Sequence, residues 1–357
     1  MAAVSSQPSQ PTQPPSLSFP PATFAKLSPL PFLLAHLRPS SASTAPVRPN
    51  GRQLAEFRPP TLNTNSLSFA NGSAVVRTGD TAVVCGVRGE ILMASDVPGY
   101  RVGSSTGTKL GGIAAQDTSE VQSLGLLVPN LELATGCSPA HLPGQPPSAL
   151  AQSLSIRLLY LLHTSKLVRA EDLRIWHQPP SLDDDEAGEP SPPEVKAFWT
   201  LYIDILFISL DGNPFDAAWA AVLAALRDTK LPHAYWDIDR EMILCDEAAS
   251  RARKLQLQST PITSTFACFA AKGQGHALDK SEKTSWVLAD PDDFEQDLCK
   301  EYVTLAVDCS SGTRPRILKI EKSGGGVVGK EQMKELVDLA AGRWKAWQGL
   351  LQSTFAS

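Results

Sequence analysis

The sequence has no long hydrophobic run, no closely paired cysteines and, before Glu56, no acidic residue. Each absence removes a class of protein. No uninterrupted apolar stretch reaches the ~18 residues that cross a bilayer as a helix, so a membrane-spanning helix is excluded and no membrane partner is expected. The six cysteines (Cys85, Cys137, Cys245, Cys268, Cys299 and Cys309) are scattered, with no C-x-x-C pair. Structural zinc uses closely spaced ligand pairs, and disulfide frameworks belong to short, cysteine-dense secreted chains. Reduced, partly buried thiols in a cytosolic or nuclear protein are expected instead. Excess basic charge is also missing: the net charge is -5, which excludes a protein that coats nucleic acid by bulk charge. Any such contact must be a local patch or be shared with partners.

What is present divides the chain by composition. At 357 residues the chain exceeds the ~100–200 residues typical of one domain. Residues 1–21 are rich in Pro, Ser, Gln and Thr, and thirteen of the 29 prolines lie in the first 60 residues. Such a segment cannot bury enough apolar surface to offset chain entropy, and it reads as a disordered tail. Its acid-free, Ser-rich character also resembles an organelle transit peptide, although its prolines break the amphipathic helix such peptides use. Residues 22–47 form a leader in which Phe24–Leu37 is apolar enough to dock, with Pro29 and Pro31 limiting its helix. The main domain is expected over 48–352, with insertions near 94–147, 179–194 and 272–284 and a short tail at 353–357.

Periodicity predicts mixed α+β structure. Thr61–Ala70 and Ser73–Arg77 read as strands joined by a tight Asn71-Gly72 hairpin, because both turn residues tolerate positive φ. A turn at Thr78-Gly79-Asp80 leads into the strand Thr81–Val87. Residues 94–147 read as a long Gly/Ser/Pro loop. The helix Ala149–Lys166 is apolar on more than one face, which implies burial. The acidic stretch 179–194 is a solvated loop. A strand over Ala197–Leu210, a turn at Asp211-Gly212-Asn213 and a helix over Pro214–Asp228 follow. Strands at Thr263–Ala271 and Ser285–Leu288, a hairpin of Tyr302–Asp308 with Arg316–Glu321, and a final helix over Lys330–Leu351 complete the reading.

Residues that could carry chemistry have conformational explanations close at hand. Ser323–Lys330 has the spacing of a phosphate-binding loop, but Glu331 stands where a magnesium-holding hydroxyl is needed, and a tight strand-to-helix turn is expected. His163 lies on an apolar helix and reads as a satisfied core residue; no H-E-x-x-H spacing and no G-x-S-x-G elbow occur. Asp204, Asp211, Asp216 and Asp290 remain as acid–base or metal candidates. Asp-Gly is common in turns, Asp216 suits the first turn of a helix, and Asp290-Pro291 closes a strand.

The order of several motifs goes further. Arg48-Pro49-Asn50-Gly51-Arg52 with Glu56-Phe57-Arg58-Pro59, then Ala70-Asn71-Gly72-Ser73-Ala74-Val75-Val76-Arg77-Thr78-Gly79-Asp80-Thr81, then Cys85-Gly86-Val87-Arg88-Gly89-Glu90, resembles the opening of the RNase PH family. Leu210-Asp211-Gly212-Asn213 with Asp216-Ala217-Ala218 resembles its central strand–turn–helix, and Asp290-Pro291 and the Gly324–Lys330 turn follow in order. Phe24–Leu30 is similar to the leader of eukaryotic RNA exosome ring subunits. The resemblance covers roughly residues 22–350. It implies the RNase PH fold (ribosomal protein S5 domain 2-like): α+β, with mixed and antiparallel sheets packed with helices.

Departures from the family pattern carry their own implication. Active members hold the attacking phosphate with Ala-Asp-Gly-Gly-(Ser/Thr)-Arg at the central turn. Here the turn is Leu210–Phe215, with no hydroxyl and no Arg, and with Pro214 removing an amide. Asp290 aligns with one acid of the active pair, and Gln296 stands near the second. Ser138–Pro143 replaces the basic residues usual before the first long helix. The resemblance therefore implies a subunit without catalytic, cofactor or metal residues, whose turn Asp211, Gly212 and Asn213 is a degenerate phosphate site. It implies a scaffold and channel wall for 3′-to-5′ RNA processing. Its partners would be other RNase PH-like ring subunits, RNA-binding cap subunits, a hydrolytic exoribonuclease and RNA, in nucleus, nucleolus and cytoplasm. Arg52, Arg58, Arg77 and Arg88 are the RNA-contact or interface candidates, and edge strands in Arg52–Arg58 and Asn71–Val87 would bury against neighbours. The alternatives are an active phosphate-dependent exoribonuclease with an altered site, and an organelle-targeted binding protein.

Overall fold

Proline placement shapes the first elements. In the computed structural model the described residues are 19–38, 45–98, 100, 120–142, 144, 146–179, 193–270, 285–312 and 314–356. The expectations for the tail at 1–18, most of the 94–118 stretch, the acidic loop 180–192 and the loop 271–284 lie outside them. The chain forms two compact units, Met1–Leu54 and Ala55–Ser357. In the first, the apolar leader is two short helices, α1 (Pro21–Leu27) and α2 (Pro29–Leu37), broken at Ser28. Each opens on a proline, whose missing N–H would have no helical partner there anyway. The Phe24 ring meets Phe32 edge-on at 6.0 Å.

The second unit is built on two sheets. Pro60–Thr64 (β1), Gly72–Thr78 (β2), Thr81–Met93 (β3), Leu127–Leu133 (β4), Arg174–His177 (β5) and Glu194–Ser209 (β6) form the first. Its order is β1-β2-β3-β6-β4, with β5 pairing the start of β6. All pairs are antiparallel except β4 with β6. Helix α3 (Ala149–Ser165) lies against β4, starts on a Ser148 side-chain cap and is followed by the single turn α4 (Ala170–Leu173). Then comes α5 (Pro214–Asp228), starting and ending as its sequence predicts. Short strands follow: β7 (Lys230–Leu231), β8 (Ala234–Asp237), β9 (Met242–Cys245) and β10 (Arg253–Lys254). The second sheet holds β11 (Ile262–Ala270), β12 (Ser285–Ala289), β13 (Tyr302–Asp308) and β14 (Arg316–Ser323) in the antiparallel order β12-β11-β13-β14. The six-residue helix α6 (Asp293–Leu298) precedes β13, and α7 (Lys330–Ala356) packs on β11 and β13.

Helix α5 is the centre of this unit. It contacts β2 and β3 of one sheet and β11 of the other, and every residue from Pro214 to Leu226 is buried. Its alanines are the reason: small side chains let two sheets approach one helix from different sides at interior packing density. The Trp219 indole fills the remaining space and donates to the Pro261 carbonyl at 2.8 Å. A helix pinned this way presents its N-terminus at a fixed place.

Several expectations are corrected. Asn71-Gly72 is not a two-residue hairpin tip. The first predicted strand ends at Thr64, the register pairs Thr64 with Ala74, and residues 65–71 form the connection, with Asn65 left-handed at φ 56°. Tertiary bonds override the local turn signal. The Asp228 carboxylate accepts the amides of Asn65 and Ser73, and the Asn71 side chain accepts the Gly89 amide at 2.8 Å. Gly72 answers a close approach instead: a Cβ there would lie 2.5 Å from Thr229 Cα and 2.6 Å from the Ala225 carbonyl. Gly72→Val is expected to cost roughly 2 kcal/mol or more in chemical denaturation, as overpacking against backbone that cannot move aside. The stretch 94–147 is not all loop, because β4 lies within it. Strands β2 and β3 are interior strands, not edges; β1 and β4 are the terminal strands of the sheet path. The β8–β9 hairpin, β5 and α6 carry no periodic signal long enough to predict. The Gly79-Asp80 turn between β2 and β3, by contrast, is as predicted, with Gly79 at φ 60°.

Candidate functional site

The turn at the head of α5 is the candidate site, and its backbone explains its residues. Gly212 and Asn213 are both left-handed, with φ 68° and 48°. A Cβ on Gly212 would meet the Asp292 carbonyl carbon at 2.4 Å and the Asp293 amide at 2.6 Å, so only glycine fits. Pro214 then begins the helix, as the fixed φ of proline favours.

Nearly every polar group of this turn has an internal partner. The Asp211 amide donates to Thr81 Oγ1 at 2.9 Å, and that hydroxyl donates to the Gly212 carbonyl at 3.2 Å. The Asn213 amide donates to Gln296 Oε1 at 2.7 Å. The Asn213 side-chain amide bridges two carboxylates, Asp216 Oδ2 at 2.9 Å and Asp290 Oδ1 at 2.6 Å. Asp290 is fully buried and left-handed at φ 49°. Arg58 clamps it with Nε to Oδ2 at 2.9 Å and Nη2 to Oδ1 at 2.8 Å, and also donates Nη1 to the Asp211 carbonyl at 2.6 Å. On the other side, Asp216 accepts from the Thr265 amide and hydroxyl at 2.9 and 3.0 Å and from Arg343 Nη1 at 2.7 Å. The Arg343 guanidinium lies 4.6 Å from the centre of the Phe57 ring. Burial alone would push the Asp290 carboxyl up; the Arg58 hydrogen bonds and the charges of Arg343 and Arg58 reverse this and hold it well below the usual carboxylate range.

A cavity of about 280 Å3 opens beside the turn, against Arg157 of α3, Phe215 of α5, Thr265 and Glu321. Arg157 and the neighbouring Lys319 share one carboxylate. Arg157 Nε and Lys319 Nζ each lie 3.0 Å from the Glu321 carboxylate, and the Arg157 guanidinium stacks 4.1 Å from the Phe215 ring centre. Burial raises the affinity of Glu321 for its proton, but these two cations outweigh it and lower its pKa.

Asp211, Asp216 and Asp290 are thus brought together, whereas Asp204 stands apart, exposed and bonded to Asn130 at 3.2 Å. Of the four arginine candidates, Arg58 is buried within this network rather than presented to a neighbour or to RNA. Arg77 and Arg88 are exposed: Arg77 holds its own turn through the Gly79 carbonyl and Asp80, and Arg88 pairs with Glu90 beside the Tyr202 ring. Arg52 lies in the first unit, where its carbonyl accepts the Arg48 amide. His163 is not a satisfied core residue, since its Nε2 is buried without a hydrogen bond and burial lowers its pKa. The glycine turn at Ser323–Lys330 closes around Glu301, whose carboxylate lies against Gly326, so the loop-like spacing serves a turn. All six cysteines are free, and among the described residues no group of three or more potential ligands is placed to hold a metal. The residue missed in the sequence is Arg343. Its signal was a charge set between Ala340 and Trp347 in the buried stripe of α7.

The family model described as the 3′ exoribonuclease family, domain 1 (RNase PH), matches residues 56–232, the span that runs from Arg58 through this turn and α5. The exosome complex component rrp43 of Schizosaccharomyces pombe is 34% identical over 328 residues, 92% of this chain and 97% of that protein. The chain belongs to the RNase PH family. An exosome complex component Rrp42 of Methanothermobacter thermautotrophicus is 26% identical over 82% of this chain and 84% of its own. Two solved structures share the RNase PH fold. The Archaeoglobus fulgidus exosome with RNA bound to the active site has a TM-score of 0.55 at 24% identity, covering 87% of this chain and 92% of that one. An archaeal exosome core has a TM-score of 0.52 at 21% identity, covering 86% and 91%. The RNase PH fold expected from the motifs is the fold observed.

Proposed function

We propose that this chain is a non-catalytic ring subunit of an RNA exosome, a wall of the channel through which RNA passes for 3′-to-5′ processing and degradation. The observation that carries this reading is the occupied central turn. Its Asn213 amide is taken by Gln296, its next residue is a proline with no amide, and its nearest arginines are tied to Asp290, Asp211 and Glu321. A phosphate entering there would have to displace Gln296 from the Asn213 amide and compete with carboxylates for the nearest arginines. Catalysis of phosphoryl transfer rests on donors aimed at developing charge, and here the Asn213 amide and the two arginines are already engaged. The likeness to the rrp43 exosome component supports the assembly, with RNase PH-like neighbours, RNA-binding cap subunits, a hydrolytic exoribonuclease and RNA as partners. On this reading the protein works in nucleus, nucleolus and cytoplasm.

Native mass spectrometry of the complex purified through a tag on this chain tests the assembly; one copy among several RNase PH-like and cap proteins is expected. The full chain incubated with RNA and inorganic phosphate should release no nucleoside diphosphates above background. A homo-hexamer that phosphorolyses RNA would return the Asp211–Phe215 turn to the list of active sites.

A further inference from the structure

A second cavity, of about 400 Å3, opens where β5, β7, β8 and β10 come together. Its character differs from that of the turn. Trp199 and Trp176 line it with Arg174, His233, Arg253 and Lys254. Among its described lining residues Asp172 is the one acid, and Arg169 holds that carboxylate at 3.3 Å. On a chain of net charge -5, this is a local excess of cations around two indoles.

The floor is built. Trp199 is 7% exposed, and a Cβ on Gly89 would sit 2.9 Å from Leu231 Cδ2 and 3.0 Å from Trp199 Cε3. Glycine at that position lets the indole and Leu231 settle against β3. At the rim, Trp176 is 45% exposed, an unusual position for so large an apolar surface, with the Arg174 guanidinium 6.0 Å from its ring centre. Arg174 is itself ion-paired to Glu120. Arg253 is exposed and has no ion-pair partner among the described residues, and Lys254 Nζ rests 5.1 Å from the Phe355 ring.

An exposed indole lining the same cavity as Arg253 and Lys254, over a floor of buried Trp199 and Leu231, suits a planar base joined to a phosphate. We propose that this cavity binds a nucleotide unit, with the base stacked on Trp176 and the phosphate on Arg253 and Lys254. The site goes beyond the channel-wall reading, which uses none of these residues. An acidic peptide would match the cations but leave the indole face unexplained. A nucleotide unit can come from an RNA strand or from a free nucleotide, and the chemistry of recognition is the same.

The test is photocrosslinking of the full chain, in its purified complex, to a short oligouridylate carrying 5-iodouridine, followed by peptide mapping. Crosslinks to the segments containing Trp176 and Arg253–Lys254 are expected. Trp176→Ala and Arg253→Glu, both at exposed positions, should each cut that crosslink yield roughly tenfold. Competition by excess uridine monophosphate would show that a free nucleotide fills the cavity; resistance to it, with crosslinking retained, would assign the site to the RNA strand. Crosslinks confined to other segments and unaffected by both variants would overturn the proposal. So would saturable binding of an acidic peptide at Trp176 with neither RNA nor mononucleotide bound.

Discussion

Asp216→Ala is expected to destabilise the chain by about 3–5 kcal/mol, the usual consequence of removing one partner from a buried ion pair. Asp216 sits in the first turn of α5, where a negative charge is worth only ~0.3–1 kcal/mol as a helix-dipole effect. Its burial makes it far more than that. The side chain is essentially inaccessible, and so is that of Arg343, 2.7 Å away. Removing the carboxylate leaves the buried Arg343 guanidinium without its ion-pair partner, and it takes the acceptor from the Thr265 amide and hydroxyl and from one of the two bonds of the Asn213 side chain. Three elements lose their common anchor at once: α5, β11 and α7. Thermal unfolding of the full chain, together with its recovery in the purified complex, checks this. An unfolding midpoint within 2 °C of the parent, in roughly the range of a surface substitution, would show that the network is dispensable. Replacing Arg343 and Asp216 together by Met and Ala should cost less than the two single changes summed, because no charge is then left unpaired.

Asp290→Asn should cost a similar ~3 kcal/mol or more, and its pH dependence identifies the cause. Asparagine keeps the size of the side chain and tolerates the left-handed backbone at this position, so charge is the principal change. The carboxyl titrates below its unfolded value of about 3.9. A depressed pKa contributes stability that is fully present above the unfolded value and is lost as pH falls through the folded one. The gap between the parent and Asp290→Asn should therefore stay constant from neutral pH down to about pH 5 and then narrow in acid. A gap that widens in acid would mean that the Arg58 clamp is not its source. Because Asn213 bonds both Asp216 and Asp290, the two substitutions share a network, and their effects should not add.

The same residues show why part of this was legible beforehand. Strand β6, the Asp211–Asn213 turn and α5 were readable because each carries a local signal: a long β-rich run, Asp-Gly, and a proline opening an alanine-rich helix. Asn71-Gly72 carried an equally strong local signal and misled, since it competes with the Asp228 carboxylate and with the approach of Thr229, both more than 150 positions away. Asp211, Asp216 and Asp290 each had a satisfactory local explanation as turn, dipole and strand end. Nothing local joins them. Arg58 lies 232 positions from Asp290 and Arg343 lies 127 from Asp216. Strand β4, in the part of the chain read as an insertion, is short and breaks its alternation at Pro129, so only pairing with β6 defines it.

The sequence by itself determined the family, the α+β class, most strand and helix positions, and that the turn Leu210–Phe215 carries no hydroxyl, no arginine and, at Pro214, no amide. These follow from residue identity and spacing, which act over a few neighbours. Only the tertiary structure decided what became of the groups that remained: that Gln296 takes the Asn213 amide, that Glu321 pairs with Arg157 and Lys319, and that Arg58 and Arg343 hold buried carboxylates. Partnering of this kind depends on which distant side chains burial brings within 3 Å of each other. It is burial, too, that turns an unpaired charge into a cost of several kcal/mol.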